Sequence, residues 1–257
     1  MDLSEKAKEI RRTILETALK AGKGHIPPAL SWVEIGVMLY YGMMKIDPHN
    51  PKLPERDRFI LSKGHGCLTL YAILADLGFF PKAELDNFCR GGAMLAGHPD
   101  TNIPGVEFST GSLGHGLGVA CGMALSAKLD KKPWRTFVLL GDGECQEGSV
   151  WEALAFAKQQ RLGNLVIIVD NNKLAATQRL SGDLLSQLIG YGLWTRDVDG
   201  HDLDALKAAL TVAPHEPIVV IADTIKGHGI PFMENSVNWH HQIPKGEQIE
   251  EARKALA

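Results

Sequence analysis

Apolar residues recur at helical spacing from the start of the chain. Leu3, Ala7, Ile10, Ile14 and Ala18 share one face, which predicts an amphipathic helix over Leu3 to Leu19. Gly22 and Gly24 mark its end. Ser31 followed by Glu34 has the spacing of a capping box and predicts a second helix through about Met43. Pro48, Pro51 and Pro54 then make a loop. Four later stretches are apolar nearly throughout and strand-sized: Arg58 to Ser62, Thr136 to Leu140, Asn164 to Val169, and Pro217 to Ala222. Helical stretches separate them, over about Cys67 to Leu77, Leu117 to Leu129, Ser149 to Gln160, and from the Asp202 cap to Leu210. Strands without a polar face, alternating with helices, predict an α/β fold with a parallel sheet covered by helices on both faces. Residues 1–257 read as a single domain with a helical N-terminal portion and an irregular tail after about Lys226.

Composition narrows the function. The 257 residues are 45% hydrophobic and 22% charged, values of an ordinary globular chain. A net charge of −3 gives no general attraction to nucleic acid or to anionic membrane. The charged start, Met1 to Lys6, is not a signal peptide, and the longest apolar runs, such as Leu165 to Val169, are far too short to span a bilayer. Cys67, Cys89, Cys121 and Cys145 are scattered without a CxxC pair; they read as buried small hydrophobes in a reduced, cytoplasmic compartment.

Glycine and histidine are repeatedly adjacent, at Gly24-His25, Gly64-His65-Gly66, Gly97-His98, Gly114-His115-Gly116, Gly200-His201 and Gly227-His228-Gly229. Several polar loops of this kind suggest convergence on one anionic ligand. In parallel sheets ligands lie beyond the carboxyl ends of the strands, where His65, Gly141 to Glu144, Asn171 to Leu174 and Lys226 to His228 fall. Gly141-Asp142-Gly143 and Asn171-Asn172 are separated by one helix and one strand, so they end neighbouring strands. Asp142 and Asn172 can then share a hard divalent cation through oxygen. Gly143 lets a diphosphate approach the backbone, and the helix after Gly148 offers amide groups to the same anion. The Leu113 to Gly118 glycines follow no clear strand, which disfavours a dinucleotide site. His201 reads as ordering a turn before the Asp202 cap; His49 and His215 read as solvated.

The Gly-Asp-Gly to Asn-Asn spacing resembles the thiamine diphosphate-binding motif. Lys23-Gly24-His25, Leu61 to His65, Ala96 to Pro99, Thr110 to Gly114, Gly141 to Gly148, Val198 to His201, Thr224 to Gly229 and Trp239-His240 resemble, in order and spacing, the N-terminal half of transketolase. The resemblance implies the thiamine diphosphate-binding fold, with Asp142, Asn172 and the Leu174 carbonyl holding Mg2+ (Ca2+ or Mn2+ as substitutes). It implies cofactor contacts by His65, Gly111, Ser112, Leu113, Asp142, Gly143, Glu144, Asn172, Lys226 and His240. His228 and His241 compete with His240 for that role. Catalytic roles are implied for His25, His65, His98 and His240. His115 stands where the family commonly has glutamine, which leaves its role open.

The implied reaction is transfer of a two-carbon ketol unit from a ketose phosphate to an aldose phosphate, as in the pentose phosphate pathway. A whole transketolase also has a pyrimidine-binding domain and a third domain. The chain therefore resembles the first subunit of a split transketolase. That implies a partner subunit carrying the pyrimidine-binding domain, in a dimer of heterodimers, with neither nucleic acid nor membrane as partner. The alternatives are a subunit of another thiamine diphosphate enzyme, such as deoxyxylulose phosphate synthase or a 2-oxo acid dehydrogenase, and a non-catalytic cofactor-binding module.

Overall fold

A computed structural model describes residues 1–176, 178–211 and 215–257. Five parallel strands, β1 (Arg58–Leu61), β2 (Thr136–Gly141), β3 (Leu165–Asn171), β4 (Trp194–Asp199) and β5 (Ile218–Asp223), form one sheet in the order β1-β2-β3-β5-β4. The order reverses beyond β3, because β5 inserts between β3 and β4. Strand registers bring Gly141 opposite Asp170 and Asn171 opposite Asp223, so the loops after β2, β3 and β5 leave the sheet side by side.

Alternate residues of the central strands face opposite cores. Phe137, Leu139, Val166, Ile168, Ile218 and Val220 pack with the N-terminal helices α1 (Leu3–Ala21), α2 (Ile26–Leu30), α3 (Val33–Val37) and α4 (Cys67–Leu77). Val138, Leu140, Ile167, Val169, Val219 and Ile221 pack with α5 (Gly116–Leu129), α6 (Gly148–Gln159) and α7 (Leu184–Gly190). Each fully buried aliphatic side chain contributes about 1.5–3 kcal/mol, so covering both faces is what favours apolar strands. The expected α/β sheet with helices on both faces is the observed one.

Two local expectations need correction, and two elements were not foreseen. No capping box forms at Ser31. Pro27 and Pro28 instead open α2 five residues earlier, at positions where a missing N–H costs nothing. Ser31 caps its far end, and Trp32 precedes α3, which continues as a π-helical turn over Met38–Met43. The Ser31 hydroxyl donates to Asp170 at 2.5 Å and lies 3.1 Å from the Pro28 carbonyl oxygen, while Glu34 pairs with Arg11. Strand β4 was not legible because it is a partly exposed edge strand of Trp, Thr, Arg, Asp and Val. The short helix α7, capped by Asp183, follows a polar loop. The tail is not wholly irregular: after α8 (Leu203–Leu210), α9 (Glu247–Ala255) forms from a highly charged stretch, buries Ala252 and pairs Arg253 with Glu16 of α1 at 2.7 Å. Among the described residues no helix is long and apolar enough to cross a membrane.

Candidate functional site

Asp142 follows the last residue of β2, and Asn172 follows the last residue of β3. Both are 6% exposed. Asp142 Oδ1 accepts from the Gly143 amide at 2.7 Å and Oδ2 accepts from the Lys173 amide. Each carboxylate oxygen keeps a free lone pair. Asn172 Oδ1 accepts from the Leu174 amide at 3.2 Å, which fixes the amide orientation. Burial pushes the Asp142 carboxyl up to about 6, with Asp170 repulsion adding to it against the pull of Lys63.

These groups line a cavity of about 250 Å3 with Leu174, Gly143, Gly111, Leu113, His65, Lys226 and His240. Lys226 is 2% exposed, and its ammonium donates to the Ala175 carbonyl at 3.1 Å and the Leu174 carbonyl at 3.4 Å. Burial and the neighbouring Lys63 lower it to about 8. Gly111 lies at φ +155 with the His98 ring against it, 3.4 Å from where a Cβ would stand. Ser112 is outside this cavity, in the adjoining open cleft with Thr110 and His115.

Glu144 lines the cavity, but its carboxylate serves the scaffold. It accepts from the Ser62 hydroxyl, from the Gly114 amide at 2.7 Å and from the Gly141 amide at 3.2 Å. Glu144 thus ties the ends of β1 and β2 to the glycine-rich loop, and burial raises its pKa. Helix α6 contributes no residue to the lining. Its first turn is directed to the same loop, with the Ser149 hydroxyl donating to the Gly114 carbonyl at 3.0 Å. The amides beside Gly143 belong instead to a 3₁₀ turn, Gly143–Gln146.

Histidines from separate loops cluster together, two of them, His65 and His240, lining the cavity. The His25 ring lies 5.7 Å from His65, 6.3 Å from His98, 5.3 Å from His240 and 4.4 Å from His241, and His65 lies 5.6 Å from His240. Burial, reinforced by mutual repulsion and nearby lysines, lowers His25 to about 3, His65 to about 2 and His240 to about 4. Burial alone lowers His98. His240 lines the cavity, whereas His228 stacks on His201 at 3.8 Å beside Glu34, away from it. His240 Nδ1 and Thr110 Oγ1 are buried polar atoms with no partner among the described residues.

Sequence reasoning missed Lys63 and Asp170. Lys63 lines the cavity and donates to the Pro28 carbonyl at 2.9 Å and to Asp170. The signal was present: a lysine directly after an apolar strand, and an aspartate ending a buried one, are residues that burial tolerates only in pairs.

Residues 3–257 match the family described as transketolase, thiamine diphosphate binding domain. The chain is 37% identical over 255 residues to one of the subunits of the apulose-4-phosphate transketolase of Phocaeicola vulgatus, covering 96% of this chain and 91% of that one. It is 40% identical over 250 residues to a 6-deoxy-6-sulfo-D-fructose transketolase subunit of a Clostridium species, covering 94% and 91%. It is 39% identical to human transketolase, with 99% of this chain but 44% of that one aligned. Among solved structures, transketolase from Leishmania mexicana superposes with a TM-score of 0.93 at 26% identity, covering 100% of this chain and 41% of the other. The chain thus spans most of the subunit-sized relatives and less than half of the full-length enzymes.

Proposed function

The chain belongs to the transketolase family through its thiamine diphosphate-binding domain, and from that premise we propose that it is the diphosphate-binding subunit of a two-chain transketolase. In this reading it acts in ketol transfer between sugar phosphates once joined to a subunit carrying the pyrimidine-binding domain. The observation that carries the reading is the convergence of Asp142, Asn172 and Leu174 with Lys226, His65 and His240 in one cavity, with His25 against both histidines.

The donor set fits the group. A carboxylate, an amide oxygen and a backbone carbonyl are hard oxygen ligands of the kind Mg2+ takes alongside phosphate and water. Lys226 already presents a cation at the Leu174 carbonyl, and the unpartnered His240 Nδ1 supplies a further polar atom at the wall. Asp142, Asn172 and Leu174 would hold the metal, and Gly143, His65, Lys226 and His240 would line the diphosphate. When bound, thiamine diphosphate supplies the carbon nucleophile and the electron sink needed to cleave a carbon–carbon bond beside a carbonyl.

The protein supplies position and protons. His25, His65 and His240 are neutral at pH 7, so each offers one donor and one acceptor nitrogen to a polyhydroxylated substrate. An anionic diphosphate held in the cavity would offset the positive charge of Lys226, which acts on all three rings, and so raise their basicity. That would move them toward the range where a histidine both takes and returns a proton. Leu113 and Gly111 provide an apolar and close-fitting wall.

Reconstitution tests the proposal. The chain mixed with a pyrimidine-domain subunit is expected to transfer a ketol unit between sugar phosphates in a Mg2+-dependent manner, and neither chain by itself is expected to be active. Full turnover by this chain at high dilution contradicts the two-chain reading. Pyruvate decarboxylation in place of ketose cleavage contradicts the transketolase assignment.

A further inference from the structure

Apart from the candidate cofactor cavity, Arg11, Glu34, His201 and His228 form a second polar cluster lining a cavity of about 390 Å3. We propose that Arg11, Glu34 and His201 are a positioning relay that fixes the backbone entering Lys226 and thereby aims its ammonium at the cofactor site. The proposal rests on the cofactor reading above, since the role it assigns is to Lys226.

The hydrogen-bond directions are determined by chemistry. His201 Nε2 lies 2.9 Å from the Ile225 amide, which can only donate. That nitrogen therefore carries no proton, and the neutral ring carries it on Nδ1. Nδ1 lies 3.0 Å from Glu34 Oε2, which accepts it. Glu34 is 6% exposed and is also held by the Arg11 guanidinium at 2.6 Å. Burial alone would raise the Glu34 pKa, but the His201 bond and the Arg11 charge hold the carboxyl below its ordinary value, so it stays an acceptor. The His228 ring stacks on His201 with centroids 3.8 Å apart and planes 23° from parallel, while the His228 carbonyl accepts from Arg11 Nε at 3.3 Å.

The relay ends at the residue before Lys226. The segment is held on its other side by the Gly227 amide donating to the Pro27 carbonyl at 3.1 Å and the Asn235 amide donating to the Lys226 carbonyl at 2.9 Å. Gly227 sits at φ +84, where a Cβ would stand 2.7 Å from the Met233 carbonyl oxygen, so the segment has little room to shift. Four elements distant in sequence thus converge on one short strap. A side chain that acts on a binding group from behind typically alters affinity about 10-fold or more when removed.

A metal reading of the same cluster is weaker. Glu34, His201 and His228 bring ligand atoms within 4.8 Å of one another. Ligation through His201 Nδ1 would require that nitrogen to lose its proton while Nε2 still accepts from Ile225, and Arg11 already occupies the carboxylate.

The test compares the full chain with His201→Leu, His201→Gln and Glu34→Gln. Nitrogen-15 NMR of the unsubstituted chain is expected to show His201 as the neutral Nδ1–H tautomer. An Nε2–H tautomer overturns the relay. Calorimetry with Mg2+ and inorganic diphosphate is expected to show affinity about 10-fold or more weaker in His201→Leu. His201→Gln, which keeps a donor and an acceptor, is expected to recover much of it, and Glu34→Gln to show a smaller loss. Affinity in His201→Leu and Glu34→Gln unchanged from that of the unsubstituted chain overturns the proposal, as does stoichiometric Zn2+ binding that His201→Leu abolishes. If His201→Leu does not fold, Glu34→Gln, of nearly equal volume, together with the tautomer decides. Failure of the unsubstituted chain to bind Mg2+–diphosphate would instead remove the cofactor reading, and the tautomer would be unaffected.

Discussion

Lys63 and Asp170 form an ion pair beneath the candidate cofactor cavity, with side chains 1% and 0% exposed. Lys63 follows β1 by two residues and Asp170 lies near the end of β3, on strands separated by β2. Ser31 and Thr224 also donate to Asp170, so the pair gathers four chain segments under the cavity. Removing one partner strands a buried charge, which typically costs about 3–5 kcal/mol. Lys63→Met and Asp170→Leu are each expected to lower the melting temperature by about 10 °C in a chain of this size. The double substitution is expected to recover part of the loss in scanning calorimetry. Single variants that melt like the unsubstituted chain would show that the pair does not hold the loops.

Glu144 should behave as a strut. Its carboxylate is the acceptor for the Gly114 and Gly141 amides. Glu144→Ala leaves both without that acceptor, at about 1–3 kcal/mol each, and is expected to destabilise the fold measurably in urea unfolding. Glu144→Gln, which keeps one acceptor oxygen, is expected to be milder. Loss of cofactor affinity with unchanged stability would mean that Glu144 contacts the ligand instead.

The histidine cluster makes the fold acid-sensitive. His25, His65 and His240 have native pKa values of about 3, 2 and 4 against an ordinary 6.5. The unfolded chain therefore binds more protons than the native one wherever the pH lies below about 6.5 and above those native values. Stability is complete above about 6.5 and declines as the pH falls through that window. Proton uptake on unfolding at pH 5, measured by calorimetry in buffers of different ionisation heat, is expected to fall in His25→Gln/His240→Gln. Equal uptake in the variant would show that these rings are already protonated in the native state.

Asp142 has the opposite sign. Its native pKa of about 6 lies above the ordinary 3.8, so its contribution to the metal-free fold is present below about 3.8 and is lost as the pH rises through about 6. Asp142→Asn keeps an acceptor for one of the Gly143 and Lys173 amides and removes the buried charge. At pH 7 without metal it is expected to melt no lower than the unsubstituted chain. A large drop would make Asp142 a scaffold residue.

The legibility of the chain follows burial. The central strands were readable because two covered faces demand apolar residues throughout, as in Leu165 to Val169. From that reading the Asp142–Asn172 juxtaposition followed, since one αβ unit sets neighbouring strand ends together. β4 and α9 were not readable, because one exposed side admits polar residues and weakens any periodicity. Ser31 misled because its side chain satisfies a distant carboxylate across 139 residues of sequence, a partner that local spacing cannot reveal. The relation of His201 to Ile225 was hidden for the same reason.

The central claim is that Asp142, Asn172 and the Leu174 carbonyl hold a divalent ion that anchors thiamine diphosphate. Titration calorimetry of thiamine diphosphate into the chain, with Mg2+ and with chelator, tests it most directly when repeated on Asp142→Asn. The account predicts saturable binding that requires Mg2+ and is lost in the variant. Binding that ignores Mg2+, or that survives Asp142→Asn unchanged, would contradict it.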